Sequence, residues 1–339
     1  SFFGFYVAIQ ASPGVTIIGK VFYIWISIFS LFHVSVFWSF MADIFNKEQA
    51  RRLFGFIASG SSIGALIGPL LALVLVGNVG KGNLLLISTV LLLIPVIIIG
   101  WLEKLKHTEL HNEELNAEQD YQQTLGSNPL AGFMLFVKNP YLLGIGIFIL
   151  LYTAISTFVY FELKNLMVGL DESSRTQIWA GMDLAVNILT IGTAMFFTSR
   201  LATRCGLAVT LALVPVIIGA GLLVVAMAPM IWVVVGLQIV RRAGNYGITR
   251  PGREMLFTAV DRESRFKAKS VIDIVVYRGG DMITAWAFTG LTQGLGLGLG
   301  AVAFVGVLIA SVWAFVGGSL GRTYDRNQKE SNPETTGTK

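Results

Sequence analysis

Apolar runs of about twenty residues recur along this chain from one end to the other, and charges interrupt few of them. A helix rising ~1.5 Å per residue needs about 20 such residues to cross ~30 Å of hydrocarbon, where no water can satisfy an exposed backbone group. The pattern predicts membrane-spanning helices. It excludes a transmembrane β-barrel, whose strands read as roughly 10-residue segments of alternating hydrophobicity. Composition agrees: 54% of the 339 residues are hydrophobic, 13% are charged and the mean hydropathy is +0.69, outside the range of a soluble domain. The fold class is all-α, a polytopic membrane protein.

Complete spans are expected near Ile17–Phe40, Leu53–Val76, Leu84–Trp101, Tyr141–Leu166, Ile178–Thr198, Leu207–Met227, Met230–Ile248, Val271–Thr292 and Ala301–Gly318. A partial helix at Phe2–Ile9 and a turn at Ser12-Pro13-Gly14 precede them. The longest polar connection, between Glu103 and Asn139, separates two helix groups. The expected organisation is the remainder of an N-terminal helix bundle (1–102), a cytoplasmic linker (103–139), a C-terminal six-helix bundle (140–320) and a disordered cytoplasmic tail (321–339). Nine full helices and a fragment, starting on Ser1, suggest a truncated N-terminus, since two equal bundles would hold twelve.

Basic residues fall mainly on one side. Lys47, Arg51, Arg52, Lys104, Lys106, Lys138, Arg200, Arg204, the run from Arg250 to Lys269 and the tail share it; Lys20, Lys81, Lys164 and Arg175 face the other. The rich side is then cytoplasmic, and so is the C-terminus. The net charge of +5 reflects this topology, and no nucleic-acid partner is implied. One cysteine, Cys205, excludes a disulfide framework; three histidines without ligand spacing give no metal site, and no cofactor is indicated. Gly294–Gly300 follows no strand and reads as a flexible outer turn, and no Walker-type loop is present.

Charge inside lipid is the main functional signal. The hairpin from Met230 to Gln293 carries Arg241, Arg242, Asp273, Arg278 and Asp281 within apolar sequence. Each such charge costs roughly 2.5–3.5 kcal/mol at the bilayer centre and is kept where it faces a cavity or a partner. Arg241 lies about 16 Å from the outer end of its helix, near the midplane where secondary transporters bind substrate. Arg241 with Asn245, and Arg278 with Asp281, share helix faces. With Tyr246 these form the expected substrate site: Arg241, Arg242, Asn245, Tyr246, Arg278 and Asp281. Three arginines exceed the nearby acids, so the expected partner is a small-molecule anion. The structural alternative is an internal salt bridge from Arg241 or Arg242 to Asp281. Asp183, Asp273, Glu162 and Lys164 are expected in proton-binding or gating roles, although Lys164 could simply reach the interface.

Two features carry a family resemblance. Thr198–Gly206 (TSRLATRCG) sits where the major facilitator superfamily places its short G-x-L-A-D-R-x-G-R loop, keeping Leu-Ala, an arginine and the glycine but lacking the acidic residue. FWSFMADIFNKEQARRLFGFIASGSSIGALIGP (Phe37–Pro69) and RPGREMLFTAVDRESRFKAKSVIDIVVYRGGD (Arg250–Asp281) resemble blocks of bacterial ATP/ADP translocases. The resemblance implies a twelve-helix, two-bundle, alternating-access transporter of the bacterial inner membrane rather than an enzyme. In the exchangers embedded basic residues serve phosphates, a role carried here by Arg241, Arg242 and Arg278. The expectation is a secondary transporter of an organic anion, with nucleotide exchange its most specific form, acting as a monomer in the lipid bilayer. The alternatives are a proton-coupled carrier of another solute and a non-transporting membrane protein.

Overall fold

The computed structural model describes residues 2–11, 16–108 and 131–331, and among these residues the chain is helical apart from short links and holds no strand. The turn at Ser12-Pro13-Gly14, most of the expected linker and residues 332–339 lie outside the described residues. Two compact units divide the chain, one of Ser1–Asn46 with Gly64–Asn128, the other of Lys47–Ile63 with Pro129–Lys339.

The first unit takes in α1 (Phe2–Ala11), α2 (Thr16–Ile44), most of α3 (Lys47–Leu91) and α4 (Leu93–Thr108). Aromatic edges hold α1 to α2: Phe2 meets Trp25 at 4.9 Å and Phe29 at 5.8 Å between ring centroids. The expected turn between Val76 and Leu84 is absent. The chain continues as one helix to Leu91, because none of its glycines there takes the left-handed conformation that closes a turn.

The second unit begins with the first turns of α3 and continues with α5 (Ala131–Lys138), α6 (Pro140–Leu166), α7 (Glu172–Gly192), α8 (Ser199–Arg204), α9 (Gly206–Met227), α10 (Ile231–Gly244), α11 (Arg250–Leu256), α12 (Arg262–Ser270), α13 (Tyr277–Thr289) and α14 (Leu299–Ser331). Local chemistry fixes the helix starts. The Asn139 side chain accepts from the Tyr141 and Leu142 amides with Pro140 in the first turn, and Asp171 and Asp261 cap α7 and α12 through Ser174 and Ser264. Single π-turns at Thr193–Thr198, Asn245–Thr249 and Val271–Val276 join successive helices without a break, and one at Gly290–Gly294 ends α13 before the link to α14.

Six helices among the described residues are long and apolar enough to cross a membrane: Ile17–Ile44, Asn83–Leu102, Pro140–Leu166, Gln177–Arg204, Gly206–Met227 and Leu299–Asn327. The expected spans at Leu53–Val76, Met230–Ile248 and Val271–Thr292 are not among them. In the last two, embedded charges lower the hydropathy. At the C-terminal end α14 runs on to Ser331, so residues 321–331, expected as tail, are helical, with Tyr324 fully buried.

α9 and α14 pack closely along small residues. A side-chain carbon at Gly321 would meet the Ala208 backbone at 2.3 Å, and one at Gly317 would meet the Leu211 carbonyl oxygen at 3.0 Å. At the start of α9, Gly206 takes φ +80°, and the Asp325 carboxylate accepts from the Leu207 amide at 3.1 Å and the Ala208 amide at 3.4 Å. Asp325 also pairs with Arg51, whose guanidinium stands 5.4 Å from the Tyr324 ring centroid. One carboxylate therefore satisfies a helix N-terminus and a cation together. Gly321→Leu forces the α9–α14 backbones apart and is expected to destabilise the unit by about 1–3 kcal/mol, read as a lower melting temperature in detergent than for Gly318→Leu, whose position meets nothing within 4 Å.

Candidate functional site

The site grows from a stripe on α6. Tyr152, Ser156 and Tyr160 recur at helical spacing, with Thr157 beside them, and turn a polar edge toward α10. There the Arg241 guanidinium, 4% exposed, donates from Nε to Gln238 Oε1 at 3.0 Å and from Nη1 to Ser156 Oγ at 2.8 Å and Tyr152 Oη at 3.4 Å. Every one of these acceptors is uncharged. A guanidinium has five N–H donors, and among the described residues no hydrogen bond takes the two on Nη2. A cavity of about 310 Å³ opens beside it, lined by Ser156, Thr157, Tyr160, Phe161, Arg241, Asp281 and Ala285. Asp281, on α13, is partly buried and lines the same cavity as Thr157.

Arg241 and Asp281 are thus brought to one cavity, and the salt bridge between them that stood as the structural alternative is not formed. Arg242 turns away and pairs with Asp183 Oδ1 at 2.5 Å, so Asp183 is engaged in an ion pair rather than standing alone in a pore. Arg278 is exposed and does not line the cavity, although its charge bears on Asp281. Asn245 is buried in the π-turn after α10, and Tyr246 is exposed beside it; neither lines the cavity. Tyr277 lies tilted against Tyr152, with ring centroids 6.2 Å apart. Lys164 is exposed, its ammonium 5.9 Å from the Phe161 ring. Glu162 is 1% exposed, and neither carboxylate oxygen has a hydrogen-bond partner among the described residues.

Asp273 sits in a buried ionic network. Arg253 pairs with Glu254 and, at 3.3 Å, with Asp273; Lys269 pairs with Glu254 Oε2 at 2.8 Å and Asp273 Oδ2 at 2.6 Å. Two cations meet two carboxylates. Lys269 also lies 4.7 Å from the Phe257 ring centroid, and Arg265 donates to the Phe257 and Val260 carbonyls nearby. Burial opposes the Arg253 charge, but Glu254 and Asp273 outweigh it and hold its pKa above the ordinary arginine value. The network ties α11 to α12 and the following π-turn, which is a structural role for Asp273.

Sequence reasoning missed Gln238, Tyr152, Ser156, Thr157, Tyr160, Phe161 and Ala285. The polar positions among them were signalled by the Tyr152-Ser156-Tyr160 spacing inside an apolar span. It also missed Glu254 and Lys269 as a buried pair, since both read as loop residues.

The family profile described as Major Facilitator Superfamily matches residues 1–260. The chain belongs to the major facilitator superfamily. It is accordingly a multi-pass membrane protein and a secondary transporter of the major facilitator type, a family of transporters and not of enzymes. No curated protein is significantly similar to it, and no comparison ties it to the ATP/ADP translocases that its blocks at Phe37–Pro69 and Arg250–Asp281 resemble. Arg241, whose partners are all uncharged, keeps an unmatched charge, whereas Arg253, Glu254, Lys269 and Asp273 balance their charges among themselves.

Methionine in place of a buried ion separates these roles. Lys269→Met leaves Glu254 and Asp273 short of a cation and is expected to cost about 3–5 kcal/mol. Glu162→Met removes an unpartnered carboxylate and is expected to raise stability by roughly 1 kcal/mol. Thermal unfolding in detergent should therefore move in opposite directions for the two variants.

Proposed function

We propose that the chain carries a small organic solute through an anionic group held at Arg241, moving it by alternating access across a bacterial inner membrane with its basic face and C-terminus in the cytoplasm, as a monomer. One observation supports this most: Arg241 is buried at a cavity among uncharged acceptors, so its charge is solvated without being neutralised. A charge-assisted hydrogen bond contributes about 1.5–3 kcal/mol, and an arriving carboxylate or phosphate would supply that partner. Nucleotide exchange is the most specific form of the reading and rests on the two translocase-like blocks. The charge available favours a smaller load, since Arg242 is committed to Asp183 and Arg278 does not line the cavity.

Uptake by proteoliposomes of ADP and of small carboxylates, each labelled, tests the reading. Arg241→Gln is expected to lower uptake of the carried solute about 10- to 100-fold while leaving the protein monodisperse. Unchanged uptake would overturn the assignment, and ADP-for-ATP counterflow would decide for nucleotide exchange.

A second reading, a proton-coupled carrier, is favoured by Glu162, a carboxylate enclosed in α6 with no hydrogen-bond partner among the described residues. On that reading an imposed pH gradient drives uptake in the native protein, and Glu162→Gln abolishes the drive while sparing exchange at equal pH. Uptake indifferent to the gradient excludes it.

A further inference from the structure

The cavity beside Arg241 is lined by two opposite charges, not one. Asp281 lines it from α13, as Thr157 does from α6, while Arg241 enters from α10 with hydroxyl and amide partners. Tyr160, Phe161 and Ala285 line the same cavity. Of the other charges nearby, Arg278 is exposed outside the cavity lining, and Arg242 is taken by Asp183.

A bare anion on Arg241 would bring a second negative charge into the space that Asp281 already faces, where low dielectric strengthens the repulsion. A bare cation would meet the same obstacle at Arg241. Only a ligand that carries both charges complements both walls. The volume of about 310 Å³ is near the lower end of the roughly 300–1,000 Å³ typical of ligand sites, which restricts the ligand to a compact molecule. Aromatic faces suit an apolar body and also attract an ammonium group.

We propose that the site takes a zwitterion, with its carboxylate on Arg241, its ammonium on Asp281 and an apolar or aromatic body along Tyr160 and Phe161. This rests on the reading that Arg241 holds the anionic group, and it names the substrate class: small amino-carboxylates.

Three probes of similar shape separate the two layers. Binding of L-phenylalanine, 3-phenylpropionate and phenethylamine to the purified full chain in detergent is measured by calorimetry. L-Phenylalanine is expected to bind at least about tenfold tighter than either single-charge analogue. Asp281→Asn should bring L-phenylalanine down to the affinity of 3-phenylpropionate while leaving 3-phenylpropionate no weaker, which also shows that the variant is folded. Arg241→Gln should weaken both carboxylates and spare phenethylamine. If 3-phenylpropionate binds the native protein as tightly as L-phenylalanine and Arg241→Gln abolishes both, the zwitterion assignment is overturned and the anion reading stands. Failure of both carboxylates to bind, or binding indifferent to Arg241→Gln, overturns both.

Discussion

A charge buried in a protein has lost its water, and the second unit of this protein is built around that constraint. An ion taken from water into the interior of a protein loses several kcal/mol of solvation that only well-placed partners restore. Three solutions coexist here. Asp325 serves the Arg51 guanidinium and the open amides of a helix start at once. Arg242 and Asp183 form a simple pair across two helices. Arg253, Glu254, Lys269 and Asp273 close on one another so completely that Lys269 and Glu254 reach zero exposure. Arg241 follows none of these patterns, since its partners carry no opposite charge.

The quartet also positions the site. It clamps the closed end of the hairpin, where α11 meets α12 and the π-turn after it. From there roughly 18 Å of helix leads back from Arg253 to Arg241, and roughly 12 Å leads on from Asp273 to Asp281. π-Turns interrupt both arms between the clamp and the cavity, at Asn245–Thr249 on one and Val271–Val276 on the other. Each inserts a residue into the helical register and so rotates the side chains beyond it. The rotation that brings Arg241 and Asp281 to a common cavity is thus a backbone property, fixed by a buried ionic knot at one end.

Membrane character was legible in the sequence, and so was the concentration of charge in the Met230–Gln293 hairpin, because charges in apolar runs stand out at any register. Partner choice was not. Arg242 and Asp183 lie 59 residues apart, and nothing in either span's periodicity says which neighbouring helix will face it. Asp273 had the same ambiguity: an acid at the start of an apolar run reads as a proton site until Lys269, one helical turn earlier, and Arg253, from another helix, are seen to enclose it. The stripe Tyr152-Ser156-Tyr160 was readable but gave way to the louder signal of formal charge. A boundary failed between Val76 and Leu84, where α3 continues unbroken as one helix.

Ser156 and Thr157 explain how two opposite charges share a cavity without collapsing onto each other. Neighbouring residues on an α-helix point about 100° apart, so Ser156 accepts from Arg241 while Thr157 adds a second hydroxyl to the cavity that Asp281 also lines. α6 thereby solvates the cation and lines the space beside both charges with neutral groups. A direct salt bridge would have satisfied both charges and left a solute nothing to bind. Hydroxyls compensate part of the burial cost of the arginine while preserving its field. The site is charged, ordered and still capable of gaining energy from a ligand because its first partners are dipoles instead of ions.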